Sequence, residues 1–232
     1  MRRHPASADA VTSALARQPW SMLEAPLRQA GADVDAAIAR LRLYARMLVE
    51  WNQRVSNLIS KNDEPRLVER HLFESIAPAH WLKERGPTRW IDFGSGAGLP
   101  AIPLAIAGVE GSWVLVESRR TKTLFIRKTI QELALRDFTV ENARLEDVVK
   151  SATRDRAFDG FTSRATQRLG PTLQLAARLV VPGGHAFLWK GSGREQEMEA
   201  DSRWRGEWDF TGLLGIGSGP VSVARFERTA DD

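Results

Sequence analysis

The feature that most constrains the fold is an alternation of short β-type runs and longer helical runs that begins at Trp90. Strands are predicted at 90–93, 113–117, 138–141, 158–163 and 186–189. Helices are predicted between them, over 99–107, over 121–135 and through 180. Such alternation is typical of a mostly parallel sheet with helices on both faces. The sequence therefore predicts an α/β, Rossmann-like core over residues 87–232.

The last part of the chain has a different pattern. Two strand-like runs, 204–210 and 221–226, flank a glycine-rich stretch at 212–220. Two strands without an intervening helix predict an antiparallel hairpin at one edge of the sheet.

The front of the chain divides into two predicted segments. Residues 1–30 are rich in alanine and contain three prolines, and they are predicted to form a loose N-terminal arm that is at best partly helical around Val11 to Ala16. Residues 31–86 are predicted to form a helical extension, with helix starts at Asp33 and Asp63, an interruption of the second helix at Pro78 and an end at Gly86-Pro87.

Composition excludes several classes of site. The formal net charge of +4 permits binding to a polyanion but does not require it. With no cysteine, the chain has no disulfides, thiolate metal sites or thiol nucleophiles. The four histidines show no metal-ligand spacing, so no metal is expected. No apolar run predicts a secretory signal or a membrane span, and we expect a cytoplasmic protein without membrane contact.

A glycine-rich loop, Asp92-Phe93-Gly94-Ser95-Gly96-Ala97-Gly98-Leu99-Pro100, joins the first predicted strand to its helix. Doubly wound folds bind nucleotide-like ligands there, and glycine lets the backbone approach the ligand closely. The dinucleotide fingerprint has glycine at the sixth position of this loop, where Leu99 stands. The spacing therefore favours S-adenosylmethionine over a nicotinamide dinucleotide.

Two acidic positions follow the loop. Glu117 ends the next predicted strand, where a carboxylate can accept both ribose hydroxyls. Further on, Leu145 is a candidate to cover one face of adenine, with the Glu146 carboxylate or the backbone accepting from its amino group. The alternative for Glu146 is a solvated helix start in which the acid favours the helix dipole.

At this point the chain resembles a known family, the RsmG (or GidB) 16S ribosomal RNA guanine-N7 methyltransferases. The resemblance runs from about Leu41 to Gly191. It is carried by Trp51-Asn52, Asn57-Leu58, Arg70-His71-Leu72, Glu74-Ser75, Gly94 to Pro100, Val116-Glu117-Ser118, Ser163-Arg164-Ala165, Pro182-Gly183-Gly184 and Lys190-Gly191.

The resemblance implies a class I Rossmann-like S-adenosylmethionine-dependent methyltransferase fold with an N-terminal helical extension. It implies methylation of 16S ribosomal RNA, free or in the 30S subunit, in the cytoplasm. The chain departs from the family's usual residues at Glu74, at Ala101 and at Ile59-Ser60, which concerns individual contacts rather than the reaction. With the glycine loop included, the cofactor positions are Gly94, Gly96, Gly98, Leu99, Glu117, Leu145, Glu146 and Arg164.

Guanine N7 carries a free lone pair and no proton, so no catalytic base is predicted and positioning is the main task. The absence of cysteine disfavours pyrimidine C5 methylation. Ser163-Arg164-Ala165-Thr166 replaces the Asn/Asp-Pro-Pro-aromatic turn typical of exocyclic amine methylation. Candidate substrate contacts are Arg70, His71, Arg164 and Lys190. The structural alternatives are a solvated charge for Arg70, a packing histidine for His71, a bracing ion pair for Arg164 and a cap on the sheet edge for Lys190.

Two other functions stay open. One is an S-adenosylmethionine-dependent methyltransferase for another RNA, a protein or a small molecule, although no large inserted lid is evident. The other is a cofactor-binding or RNA-binding module without catalysis, which the intact Gly94, Gly96, Gly98 and Glu117 disfavour. The sequence does not determine the oligomeric state, and a monomer is the simplest expectation.

Overall fold

The computed structural model describes residues 8–55, 57–84, 86, 88–150, 156–164 and 167–230. Within these residues, seven strands form one sheet in the order β3-β2-β1-β4-β5-β7-β6. The strands are β1 (Arg89–Phe93), β2 (Ser112–Val116), β3 (Phe138–Glu141), β4 (Phe158–Arg164), β5 (Val180–Lys190), β6 (Trp208–Gly215) and β7 (Ser222–Arg228). The first five are parallel, and β7 runs antiparallel to both β5 and β6. This confirms the predicted parallel sheet with a C-terminal antiparallel hairpin.

The described α-helices precede the sheet, connect its parallel strands, or follow β5. They are α1 (Ala8–Ala16), α2 (Glu24–Gln29), α3 (Val34–Arg54), α4 (Glu74–Ile76), α5 (Ala79–Lys83), α6 (Ala101–Ile106), α7 (Arg120–Glu132), α8 (Leu145–Lys150), α9 (Leu169–Leu179) and α10 (Arg194–Ala200). Helix α3 begins at the predicted cap, where Asp33 Oδ1 accepts a hydrogen bond of 3.1 Å from Ala36 N.

Buried apolar side chains cover both faces of the sheet. One cluster joins the front helices to the sheet and includes Leu41, Trp90 and Phe125. The second packs α8, α9 and the C-terminal hairpin against the other face. Because the front helices share a buried cluster with the sheet, they hold a fixed position beside its edge. The division of the chain at residues 30 and 86 stays a prediction.

The prediction of a loose arm is wrong for residues 8–30, and residues 1–7 lie outside the described ranges. Leu23 and Leu27 are fully buried, and the buried indole of Trp20 donates to Leu15 O at 2.7 Å. Pro19 and Pro26 did not prevent this structure, because they lie before a 3₁₀ turn and in the first turn of α2. The missing N–H has no intrahelical partner at such positions.

The second front helix is already irregular before its predicted interruption at Pro78, where a regular helix is predicted. A 3₁₀ turn at Glu64–Arg66 leads into a π-helix at Val68–Phe73, then into α4 and α5. The carbonyl groups of Arg70 and His71 accept hydrogen bonds from the Arg164 side chain. The π-helical segment therefore contacts Arg164 at the end of β4. Such π-helical turns are frequent at functional sites. Gly86 is described, but Pro87 is not.

The hairpin lies a few residues beyond its predicted bounds. Trp204 belongs to a 3₁₀ turn and packs edge-on against Phe226, with ring centroids 5.2 Å apart. Strand β6 runs through Gly212, which is predicted as loop. A Cβ on Gly212 would lie 2.8 Å from the ring of Trp81, so glycine is needed here for packing.

Candidate functional site

Four strands end side by side at one edge of the sheet. Their register pairs Phe93 with Val116 and with Ser163, and pairs Val116 with Glu141. The residues that continue from these positions therefore meet at the carboxyl edge: Gly94, Glu117, Asn142 and Arg164. Ligands of open α/β sheets bind at this edge.

The glycine loop closes over the end of β2. Gly94 N donates to Val116 O at 2.9 Å, which holds the loop against the neighbouring strand. All three glycines have positive φ angles, +68° at Gly94, +56° at Gly96 and +84° at Gly98, a region that L-residues with side chains rarely adopt.

The absence of a side chain has a different consequence at Gly98 than at Gly96. A Cβ on Gly98 would overlap the side chain of Ile102, so this glycine allows α6 to pack closely. The nearest atoms to a Cβ on Gly96 are Gly94 O at 3.8 Å and Lys122 Nζ at 4.0 Å. The space beside Gly96 is thus wide enough for a ligand to approach the backbone. Leu99 is buried at the end of the loop.

Glu117 connects the glycine loop to the start of α7. Its Oε2 accepts from Gly96 N at 2.9 Å, and its Oε1 accepts from Arg119 N at 2.8 Å. These two bonds occupy part of the carboxylate's acceptor capacity, which is about four lone-pair positions. The buried Glu117 can therefore hold the loop and still accept from hydroxyl groups.

Asp92 is a buried acid directly beneath the loop. Thr162 Oγ1 donates to its Oδ1 at 2.6 Å, whereas Oδ2 has no hydrogen-bond partner among the described residues. Burial raises the pKa of Asp92 to about 7, and the nearby Glu117 carboxylate adds to the rise. Asp92 belongs to the predicted loop, but the sequence pattern does not predict its burial.

Tyr44 and Asn142, which are absent from the predicted set, hold the backbone of the site in place through hydrogen bonds. The hydroxyl of buried Tyr44 donates to Ala97 O at 2.8 Å, which ties α3 to the glycine loop. Asn142 Nδ2 donates to Glu117 O at 3.0 Å and to Ser118 O at 2.8 Å. Tyr44 is the only tyrosine of the chain, and a buried hydroxyl usually requires a partner, but the sequence does not say which one.

Arg164 extends from the end of β4 into the front helices. Its two terminal nitrogens donate to Glu74 Oε2 at 2.6 Å, to Arg70 O at 2.5 Å, and to His71 O and Ser75 Oγ at 3.1 Å each. Burial lowers the pKa of Arg164, an effect that the Glu74 carboxylate opposes. The structure thus shows the bracing ion pair that was the alternative to a substrate contact.

His71 is packed inside the same network. Its Nδ1 faces an Arg164 terminal nitrogen at 3.3 Å, and its Nε2 lies 3.7 Å from Asp63 Oδ2. Because Arg164 can only donate, His71 Nδ1 accepts and the proton resides on Nε2. Burial, together with the charges of Arg164 and Arg70, lowers the pKa of His71 to about 3. His71 is therefore a neutral packing histidine at physiological pH.

The remaining predicted residues lie around the edge of the site. Leu145 is fully buried in the second cluster, and Glu146 Oε1 accepts from Gln167 Nε2 at 2.9 Å. Lys190 Nζ donates to Gln167 O and to Glu197 Oε2, both at 2.8 Å. Ala165 and Thr166, part of the motif after β4, lie outside the described residues.

Among the described residues, no group of three or more histidine or acidic side chains is arranged to bind a metal ion. Within the same ranges, no helix has both the length and the apolar character needed to cross a bilayer.

The order of the strands and the loop at their edge agree with comparisons to known proteins. Residues 37–205 match the family described as GidB, rRNA small subunit methyltransferase G. The chain belongs to this family. It is 30% identical over 167 residues to ribosomal RNA small subunit methyltransferase G of Geobacillus kaustophilus (strain HTA426), covering 72% of this chain and 70% of the relative. It is 34% identical over 160 residues to the protein of that name in Staphylococcus aureus (strain Newman), covering 69% and 66% respectively.

A solved structure supports the fold independently. A SAM-dependent methyltransferase from Aquifex aeolicus superposes with a TM-score of 0.53 at 15% identity, covering 73% of this chain and 96% of that one. At this identity the likeness shows the fold, and the strand order confirms the predicted Rossmann-like methyltransferase class.

Proposed function

We propose that this member of the family transfers a methyl group from S-adenosylmethionine to N7 of a guanine in 16S ribosomal RNA. The observation that carries the proposal is the meeting of the glycine loop with the Glu117 carboxylate at the sheet's carboxyl edge. Family membership supports small-subunit ribosomal RNA as the substrate.

The residues at this edge fit S-adenosylmethionine. The positive-φ glycines and the open space beside Gly96 form a cradle that a side chain would fill. The free lone pairs of Glu117 suit the two ribose hydroxyls. We assign Leu145 and Glu146 to the adenine side of the pocket, where Gln167 orients the Glu146 carboxylate. When bound, the cofactor supplies an electrophilic methyl group on a sulfonium.

We assign to Arg164 a positioning role in this site. Four hydrogen bonds from its terminal nitrogens tie the front helices to the end of β4. These four bonds do not use the Nε–H of Arg164. We assign to this group the cofactor contact that the family resemblance implies for Arg164. Bracing of this kind holds the site in the geometry that in-line transfer needs.

Guanine N7 suits this set of side chains because it is already nucleophilic. No proton has to be removed before transfer, and His71, with its pKa lowered to about 3 and its Nδ1 facing Arg164, is poorly placed to remove one. RNA duplexes hide N7 in a deep, narrow groove, so the target guanine has to be unpaired or displaced from its stack. We expect the enzyme to act in the cytoplasm as a monomer.

Labelled methyl transfer tests this function. Purified protein and S-adenosylmethionine are incubated with 30S subunits, naked 16S RNA or 50S subunits from cells that lack the enzyme. Label is expected on 16S RNA in at least one of the first two samples and not on 50S RNA. Label on 50S RNA alone, or only on protein, would contradict the proposal.

A further inference from the structure

The basic residues near the site fall into two groups. The predicted substrate contacts are paired with acids: Arg70 Nε lies 3.4 Å from Glu74 Oε1, Arg164 lies 2.6 Å from Glu74 Oε2, and Lys190 lies 2.8 Å from Glu197. A cation paired in this way offers less net charge to an external anion.

A second group lies at the end of α3 and along the first turns of α7, including the two cap residues, and all its members except the partly buried Lys122 are exposed. We call it the α3–α7 basic face, and it consists of Arg54, Val55, Arg119, Arg120, Lys122, Leu124 and Lys128. None of its five cations lies within 4.0 Å of a carboxylate in the part of the chain that the structure describes. For comparison, the formal net charge of the whole chain is +4.

Two of these cations, Arg119 and Arg120, are not placed to stabilise the dipole of α7. The first turn of this helix contains no acidic residue, although a helix N-terminus favours negative charge by about 0.3–1 kcal/mol per group. Arg119 and Arg120 stand at the start of the helix, where the dipole disfavours them. The Glu117 carboxylate, which accepts from Arg119 N at 2.8 Å, already lies at this helix start, and a bound phosphate would add negative charge beside Arg119 and Arg120.

The α3–α7 basic face borders the glycine loop. Arg40 donates to Leu133 O at 2.9 Å, so the start of α3 lies beside the end of α7. The end of α3 accordingly lies near the first turns of α7, where Trp51 packs on Phe125 with centroids 5.6 Å apart. Lys122 Nζ is 4.0 Å from the Cβ position of Gly96. A large substrate that reaches the loop therefore has this face beside it.

Apolar surface accompanies the charge. Val55 is 55% exposed and Leu124 is 46% exposed, the two highest values among the large apolar side chains of the described residues. A groove of about 240 Å³ is lined by Val55 itself together with Trp51, Arg54 and Lys128, and it contains one carboxylate, Glu50. Proteins that bind single-stranded nucleic acid combine cations for phosphates with apolar or aromatic surface for bases.

We propose, on the basis of the function proposed above, that the α3–α7 basic face binds the phosphate backbone of the RNA strand that carries the target guanine. Arg54, Arg120 and Lys128 contact phosphates, and Val55 and Leu124 contact the sugar or base of a flanking nucleotide. From Arg120 to Lys128 the helix rises about 12 Å, long enough to contact more than one phosphate.

The test compares two triple variants with the same change in net charge. The first is Arg54→Gln/Arg120→Gln/Lys128→Gln. The matched control is Arg28→Gln/Arg66→Gln/Arg203→Gln, which removes three exposed arginines that pair with Glu24, Glu69 and Asp201. Binding to naked 16S RNA and to 30S subunits is measured across a salt series, with calorimetry for S-adenosylmethionine and thermal unfolding as checks.

The first triple variant is expected to bind RNA at least about tenfold more weakly near 0.1 M salt. The slope of log K against log salt should fall by about 2, because each single-strand phosphate contact contributes about 0.7. Its cofactor affinity and unfolding temperature should match wild type, and the loss of activity should appear in KM rather than in kcat. The control should lose less than about threefold in RNA affinity.

Three results would overturn the assignment. They are a wild-type salt slope in the first variant, an equal loss in the control, or an unchanged RNA affinity in the first variant. Each can occur while wild-type protein still methylates 16S RNA, in which case the proposed function stands and only the docking surface is wrong. If wild-type protein transfers no methyl group to 30S subunits or 16S RNA, the function itself fails.

Discussion

Replacing Arg164 with methionine should lower the free energy of unfolding far more than is usual for a residue at the end of a strand. The side chains of Arg164 and Glu74 are only 12% and 9% exposed, so the substitution leaves a buried carboxylate without its main partner. Removing one member of a buried pair typically costs 3–5 kcal/mol. Arg70 remains 3.4 Å from Glu74 and can compensate in part, so we expect about 3 kcal/mol.

Urea denaturation of Arg164→Met measures this cost, and Arg66→Met is the matched control. Arg66 makes a two-bond contact with Glu69, but their side chains are 53% and 46% exposed. Exposed pairs contribute at most about 1 kcal/mol. The double variant Arg164→Met/Glu74→Met should recover part of the loss, because no unpaired charge stays buried. Equal losses of unfolding free energy in Arg164→Met and Arg66→Met would refute the bracing role.

Three further variants examine the loop and the acid beneath it. Gly96→Val should abolish S-adenosylmethionine binding, because valine is strained at a φ of +56° and fills the cradle, and wild-type affinity by calorimetry in a folded variant would contradict this. Glu117→Ala should weaken cofactor binding by about 1.5–3 kcal/mol, and a change below about threefold in Kd would remove Glu117 from the site. Because the pKa of Asp92 is raised to about 7 in the fold, the folded state binds the extra proton and stability falls as pH rises from about 4 to 7. In urea denaturation between pH 5 and pH 8, the free energy of unfolding of Asp92→Asn should fall less with rising pH than that of wild type. An unchanged dependence on pH would exclude Asp92 as its source.

The parts of the fold that the sequence predicts are those that local patterns specify. The period of apolar residues separates strands from helices, and the glycine loop and Glu117 both lie where the chain leaves a strand. The order of strands then brings these two segments together. Their contact at Gly96 N and Glu117 Oε2, 2.9 Å apart, follows from this topology.

Other features depend on partners far away in the chain. Arg164 meets Glu74 across 90 residues, and Tyr44 meets Ala97 across 53, so spacing along the sequence does not identify either pair. The position of the first helices also depends on distant partners, because Leu23 and Leu27 are buried in a cluster that includes residues of α3 and of the sheet. An alanine-rich, proline-containing stretch therefore resembles a loose arm until its packing partners are known.

Mapping the methylated nucleotide tests the central claim most directly. 30S subunits from cells lacking the enzyme are treated with the protein and S-adenosylmethionine, and the 16S RNA is digested and analysed by mass spectrometry. The account predicts a single added methyl group on a guanine, at N7, recognised by the lability of its cationic base. A methyl group on an exocyclic amine, on a pyrimidine carbon or on a ribosomal protein would contradict it.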